Sequence, residues 1–312
     1  MTSFEVLLPV FLLIAIGFGV RKIGLVPADQ WRGVELVAFW VFFPALVGET
    51  LLEADLKSLP LTSITLTMLL TALTMAALVL ALRLPLMNGL GISGPSYTSI
   101  FQCSTRWNGF VALPIVGKLY GQPGIAVVGV AMAVLVPLIN VMNVTVLATY
   151  ASATKPPVWR IALTVLKNPF IWGTAIGLSV NLSGIQVYEP LMKTMNLLGS
   201  AALGLGLVMV GAGLKETEAL NPSPAMWTGV VLRLLVTPFI MGGFALAFGL
   251  SGYALVTVII CASVPTAMNG YVFARQMGGD APLYAATVTE QTAVSFVTIP
   301  AFIWLAGMVG HQ

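Results

Sequence analysis

Two apolar stretches of this sequence are interrupted in the middle by residues that a plain membrane helix does not carry. The first runs from Gln102 to Gly121 and holds Arg106, Asn108, Gly109 and Pro114. The second runs from Ala262 to Arg275 and holds Pro265, Asn269 and Gly270. Proline deletes a backbone donor and clashes with the carbonyl one turn back, and glycine loosens the helix around it. Backbone groups freed at membrane depth are tolerated only when buried in protein or lining a wet cavity. The interruptions are near copies, Asn108-Gly109-Phe110-Val111 and Asn269-Gly270-Tyr271-Val272. Interrupted segments at corresponding places in two halves of a chain are the sequence mark of a transporter's binding site.

The composition supports a membrane setting. Apolar residues make up 58% of the chain and charged residues 8%, where a soluble domain carries about 25% charge. Segments of about 20 apolar residues span a bilayer. Ten are read here, at roughly 3–22, 31–52, 60–82, 96–120, 123–150, 162–182, 189–214, 225–249, 252–277 and 282–308. The predicted fold is an all-α membrane protein of ten transmembrane helices. The polar connection 151–167, with Lys155-Pro156-Pro157, separates a first set of five (1–150) from a second (168–312). No signal peptide is expected, since Glu5 stands where a basic leader region would, and no soluble domain is read.

Lysine and arginine at the loops set the orientation. With the N-terminus outside, nine basic loop residues face the cytoplasm (Arg21, Lys22, Arg32, Arg83, Lys155, Arg160, Lys167, Lys215, Arg275) against three outside (Lys57, Lys118, Lys193). This predicts a multi-pass protein of the cell inner (plasma) membrane with both termini extracytoplasmic. Five spans per half is odd, so two related halves insert with opposite orientation, as inverted repeats that place substrate near the midplane. The net charge of +3 comes from segment ends rather than a patch, and no nucleic-acid partner is expected.

Where a helix stops and restarts, its new N-terminus presents free N–H groups and partial positive charge, which suits a carboxylate. The expected substrate-binding residues are Asn108, Asn269, Arg106, Pro114, Pro265, Gly109 and Gly270. Arg106 offers a planar fork able to grip a carboxylate with two donors; the two asparagines serve equally well as caps of the half-helices. Arg233, Glu290 and Gln291 are ionisable or polar groups inside apolar segments and are candidates for ion coupling. Arg233 and Glu290 could instead neutralise each other, or Arg233 could snorkel to an interface. Asn140 and Asn143 line the same region or bond between helices. Glu49, Glu53, Asp55 and Lys57 read as a solvated outer loop, and the glycine-rich run 198–206 as a close helix contact.

No Walker motif, dinucleotide fingerprint or nucleophile elbow is present, so no enzyme is expected. Cys103 and Cys261 lie in apolar segments and are expected as free thiols. The one histidine, His311, cannot build a metal centre. No metal or cofactor is expected, with H+ or Na+ as a coupling ion.

The sequence resembles the auxin efflux carrier family, which takes in plant PIN and PIN-like carriers and bacterial permeases for malate or malonate. The resemblance rests on Phe42-Phe43-Pro44-Ala45-Leu46, the Asn108 to Pro114 stretch, Val210-Gly211-Ala212-Gly213-Leu214, and most specifically on Val264 to Asp280. Family members often carry a proline mid-way along the seventh span, where this chain has Leu203-Gly204-Leu205. The resemblance implies two inverted five-helix repeats, an architecture shared with bile-acid sodium symporters and some sodium/proton antiporters. It implies that the fourth and ninth segments cross as broken helices at Pro114 and Pro265. It also implies elevator-type movement of a core (segments 3–5 and 8–10) against a panel (1, 2, 6 and 7), which in the family often forms a homodimer. The expected function is secondary transport of a small organic anion, a mono- or dicarboxylate. The alternatives are a sodium- or proton-coupled symporter or antiporter of the related fold, and a membrane sensor without flux. The long cytoplasmic loop of the plant carriers is absent, which argues against auxin itself.

Overall fold

The computed structural model describes residues 3–27, 30–54, 59–151, 159, 166–167, 169–215 and 222–310 of the chain. Among them every regular element is helical. In chain order these are α1 (Ser3–Lys22), α2 (Trp31–Glu53), α3 (Leu61–Ala81), α4 (Gly94–Thr105), α5 (Gly109–Tyr150), α6 (Pro169–Ser183), α7 (Glu189–Gly213), α8 (Pro224–Ala247), α9 (Gly252–Ser263), α10 (Gly270–Met277) and α11 (Ala281–Gly310). Among the described residues, six stretches are long and apolar enough to cross a membrane: Trp31–Glu53, Leu61–Gly89, Gly94–Tyr150, Glu189–Gly213, Pro224–Ala247 and Ala281–Val309. The connection 151–167 falls almost wholly outside the described residues, as do Asp55, Lys57 and His311.

The outside of the molecule is greasy and its inside carries the polar groups. Leu12, Ile16, Phe239, Val297 and Trp304 are exposed, while Gln102, Arg106, Asn143, Arg233, Thr266 and Gln291 are buried. Water would penalise that arrangement, and a bilayer favours it, because lipid solvates apolar side chains and leaves polar ones to find partners inside. The chain is a multi-pass membrane protein.

Local sequence explains where the helices bend. The 109–150 helix carries one residue outside helical geometry, Gly121, at φ 58° and ψ −145°. A side chain there would be strained, and glycine lets the chain reverse between 109–120 and 122–150 in a single residue. Two of the helices widen into a π turn just ahead of a proline, at Ala38–Phe42 before Pro44 and Leu232–Val236 before Pro238. Proline cannot donate to the carbonyl four back, and the looser turn accommodates the gap. Thr237 closes the second by donating its hydroxyl to Leu232 O at 2.8 Å.

Two packing groups result. Helix α1 lies along α7, and α2 lies along both α6 and α7. Helices α3, α4, α5, α8, α9 and α11 pack on one another, with α10 seated on α11. The first group is close-packed through backbone. A Cβ on Gly211 would overlap the carbonyl of Ile14, one on Gly17 the carbonyl of Val208, and one on Gly177 would lie 2.7 Å from Gly48 O. The glycine-rich run in α7 contributes as expected, with Gly199 against Leu46 and Gly206 against Phe43, whereas Gly204 faces open space.

Capping follows the same pairs. Arg21 at the end of α1 donates to Ala212 O (2.7 Å) and Leu214 O (2.9 Å) at the end of α7. Asn181 on α6 donates to Leu51 O, Leu52 O and Ala54 O (2.8–3.0 Å) at the end of α2. The ends of α7 and α2 thus have carbonyls bonded by the neighbour each packs on.

Glu49 lies inside the last turns of α2, 3% exposed, and accepts from Asn196 Nδ2 of α7 at 2.7 Å. This corrects the reading of Glu49 as part of a solvated loop; the helix simply runs on past it to Glu53.

Replacing Gly211 by Val should disrupt the α1–α7 contact, since the obstruction is backbone. A loss of about 1–3 kcal/mol is expected, read as a lower melting temperature in detergent. Gly204→Ala, in open space, should leave stability unchanged or raise it by up to about 1 kcal/mol.

Candidate functional site

The first interruption spans residues 106–108, between α4 and α5. It lies upstream of Pro114, which is buried within the helical run 109–120. This corrects the expectation that the fourth segment breaks at Pro114. Proline there deprives the Phe110 carbonyl of its helical donor, yet the run 109–120 stays helical through it. The second interruption spans 264–269, between α9 and α10, and does contain Pro265.

The two breaks touch. Thr266 Oγ1, in the second, donates to Cys103 O at 2.6 Å and lies 3.2 Å from Arg106 O, both at the carboxyl end of α4. Gln291 on α11 donates its Nε2 to Cys103 O and to Gly229 O of α8, each at 3.0 Å. Its Oε1 accepts from Thr266 N at 2.9 Å. One amide therefore joins both breaks and α8. Tyr284 Oη donates to Ala267 O at 2.6 Å. At the carboxyl end of α9, Arg233 donates Nε to Val264 O and Nη2 to Cys261 O, both at 2.9 Å. No ion pair joins Arg233 to Glu290 among the described residues. Glu290 is half-buried, with no hydrogen bond or salt bridge in that set.

Arg106 is 4% exposed. Its Nε faces Gln102 Oε1 at 3.2 Å and its Nη1 faces Asn140 Oδ1 at 3.2 Å. The guanidinium also lies 4.9 Å from the centre of the Phe273 ring on α10, so it stacks on the helix that starts after the second break. Nη2 has no protein partner, and neither does the nearby Nε2 of Gln102. The fork expected of Arg106 is thus partly engaged, with Nη2 as its unpartnered end. Among the described residues no carboxylate pairs with it.

The two asparagines behave differently. Asn108, 3% exposed, caps α5 by accepting from Phe110 N at 3.0 Å. Asn269 makes no such cap and its side chain is exposed at the start of α10. The glycines beside them keep the breaks close to their neighbours, since a Cβ on Gly109 would overlap the Met132 methyl and one on Gly270 the Tyr284 ring. Asn143, fully buried, bonds Thr105 Oγ1 at 3.1 Å. Phe110, two residues after Asn108, stacks on Phe43 of α2 at 4.2 Å between ring centres. That places the first break against the α1–α2–α6–α7 group. Cys103 and Cys261 are free and buried, and no metal-binding cluster occurs among the described residues.

Sequence reading missed Thr266, Tyr284 and Gln102. Their one signal was position: Thr266 follows Pro265, and Gln102 lies four residues before Arg106, one helical turn away.

Comparison with known proteins places this geometry. The profile of the family described as membrane transport protein matches residues 2–158 and 152–303. The chain belongs to that family, the auxin efflux carriers. An uncharacterized transporter of Methanothermobacter thermautotrophicus is 24% identical over 96% of this chain and 97% of its own length. A putative malonate transporter of Rhizobium meliloti is 27% identical over 60% of this chain and 62% of that protein. Auxin efflux carrier component 3a of Oryza sativa is 28% identical over 38% of this chain and 20% of that protein. The carrier is therefore a membrane transporter.

If Thr266 and Gln291 hold the breaks together, Thr266→Val should lower stability by about 1–3 kcal/mol and Gln291→Leu by at least as much. Both serve the Cys103 carbonyl, so the double variant should fall short of the sum. A double-mutant cycle on melting temperature reads this directly.

Proposed function

We propose that the chain is a secondary carrier of small organic anions, of the mono- or dicarboxylate class, bound where the two interrupted segments cross. The observation that carries this reading is the buried Arg106 guanidinium, with an unpartnered Nη2 beside the unpartnered Gln102 Nε2. A buried charge without a counter-charge costs several kcal/mol. The neighbours of Arg106 here are neutral oxygens and an aromatic face, and a carboxylate would complete them with charge as well as hydrogen bonds. The half-helix starts at Gly109 and Gly270 favour negative charge, and the exposed Asn269 amide offers a further donor. The name of the Rhizobium relative points to the same ligand class.

The movement proposed is of elevator type. Thr266 and Gln291 tie both breaks into one unit, which supports a core of α3–α5 and α8–α11 moving against a panel of α1, α2, α6 and α7. Inverted repeats over 1–150 and 168–312 are supported by reciprocal capping, α1 on the end of α7 and α6 on the end of α2. The orientation inferred from the loops, with both termini outside the plasma membrane, belongs to this proposal, as does a homodimer through the panel. Glu290 is the group proposed for proton coupling.

The test is a thermal-shift titration of purified protein with malonate and other small carboxylates, paired with uptake into proteoliposomes. Arg106→Met removes the charge at similar volume. It should stay folded within a few degrees of wild type and lose carboxylate stabilisation together with uptake. Unchanged uptake by a folded Arg106→Met protein would overturn the reading.

A further inference from the structure

The carboxyl end of α9 is a place where a protein of this kind needs positive charge. The last turn of a helix leaves carbonyls without intrahelical donors and carries partial negative charge. Here the helix ends inside the molecule, with residues 254–266 all buried, so bulk water cannot satisfy those groups. Broken helices in transporters commonly use such ends to coordinate Na+ through backbone oxygens.

In this chain the place is taken by a side chain. Arg233, 3% exposed, donates to both Val264 O and Cys261 O at 2.9 Å. It projects from the π turn Leu232–Val236 of α8, and the described carboxylates contribute no salt bridge to it. Beside it lies a cavity of about 20 Å³ lined by Thr71, Ser104, Thr105, Arg233, Thr237 and Cys261, room for about one water. The rest of the lining is apolar, with Met68, Met75, Trp107 and Leu135 among it, so the hydroxyls of Thr71, Ser104, Thr105 and Thr237 are its polar part around one fixed cation. At the other break, the Cys103 carbonyl receives neutral donors from Thr266 and Gln291.

We propose that the Arg233 guanidinium is a tethered replacement for an alkali cation at the carbonyl end of the second broken helix, so that the folded carrier needs no sodium there and acquires a sodium site when the guanidinium is removed. This deepens the carrier reading by naming how the site does without a metal ion, and it rests on that reading only for its bearing on coupling. The physical claim is about a cation and four oxygen-bearing residues: Cys261, Val264, Thr71 and Thr237. Arg233 is a positioning residue; it holds α9 and through it the 264–269 break.

The experiment uses purified full-length protein and no organic substrate, so it stands whether or not carboxylates prove to be the cargo. Melting temperature is measured in NaCl, LiCl, KCl and choline chloride at equal ionic strength for wild type, Arg233→Ala, Arg233→Gln and Arg233→Lys. Wild type and Arg233→Lys should melt alike in all four salts. Arg233→Ala and Arg233→Gln should melt lower in choline and regain several degrees in Na+ or Li+, saturably, as mass action requires of a ligand bound only by the folded state. A structural loss of two hydrogen bonds would lower all four salts equally. Sodium-selective stabilisation of wild type would overturn the proposal, as would folded Ala and Gln variants indifferent to the cation. Should neither neutral variant fold in any salt, including NaCl, the claim that sodium can take the place of the guanidinium fails.

Discussion

Breaking a helix inside an apolar phase releases backbone carbonyls and amides that have nowhere else to turn, and the structure around residues 106–108 and 264–269 answers that constraint. Each buried group left unpaired would cost about 1–3 kcal/mol, and the two breaks release several within a few ångströms. Thr266, Gln291, Tyr284 and Arg233 supply the donors, drawn from the second break itself and from α8 and α11. Packing of α4, α8, α9 and α11 follows, because each must come close enough for its side chain to reach. The core is arranged so that the groups released at the breaks find donors.

A contrast in polar chemistry runs through the molecule. The α1–α2–α6–α7 group closes on itself through glycine and carbonyl contacts and caps its helix ends with Arg21 and Asn181. The rest closes around a polar interior in which two arginines are buried without a paired carboxylate among the described residues. One, Arg233, has two backbone acceptors and is spent on structure. The other, Arg106, keeps an unpartnered nitrogen at the meeting point of the breaks. Two identical side chains at similar burial thus differ in their partners: Arg233 holds two backbone carbonyls, whereas Arg106 meets the side-chain amide oxygens of Gln102 and Asn140.

Much of this was legible in the sequence. Apolar length and composition gave a helical membrane protein, and the repeated Asn-Gly pairs marked where helices restart, since α5 and α10 begin at Gly109 and Gly270. Pro114 misled, because proline was read as the site of the break when it sits in a helical stretch that absorbs one missing donor. Glu49 misled through its company: an acid near Glu53 and Asp55 looks like a loop, whereas its spacing of three from Leu46 puts it on a packed helix face. The roles of Thr266 and Gln102 were not readable, because a lone threonine or glutamine in an apolar run gains meaning only from a neighbour distant in sequence. The π turns at 38–42 and 232–236 were equally silent, being responses to a following proline that leave no composition of their own.

Gly121 joins the short helix that starts at the first break to the long one that follows, with a single residue between them. A joint of that length has no slack: the rise, tilt and rotation of 109–120 are geared to those of 122–150. Any ligand that pulls on the start of α5 therefore works against a shaft that reaches Tyr150, where its last turns lie beside the carboxyl end of α10. The start of α5 at the first break is joined to Tyr150 by backbone with one non-helical residue between, and lengthening that joint by even one flexible residue would uncouple the two runs.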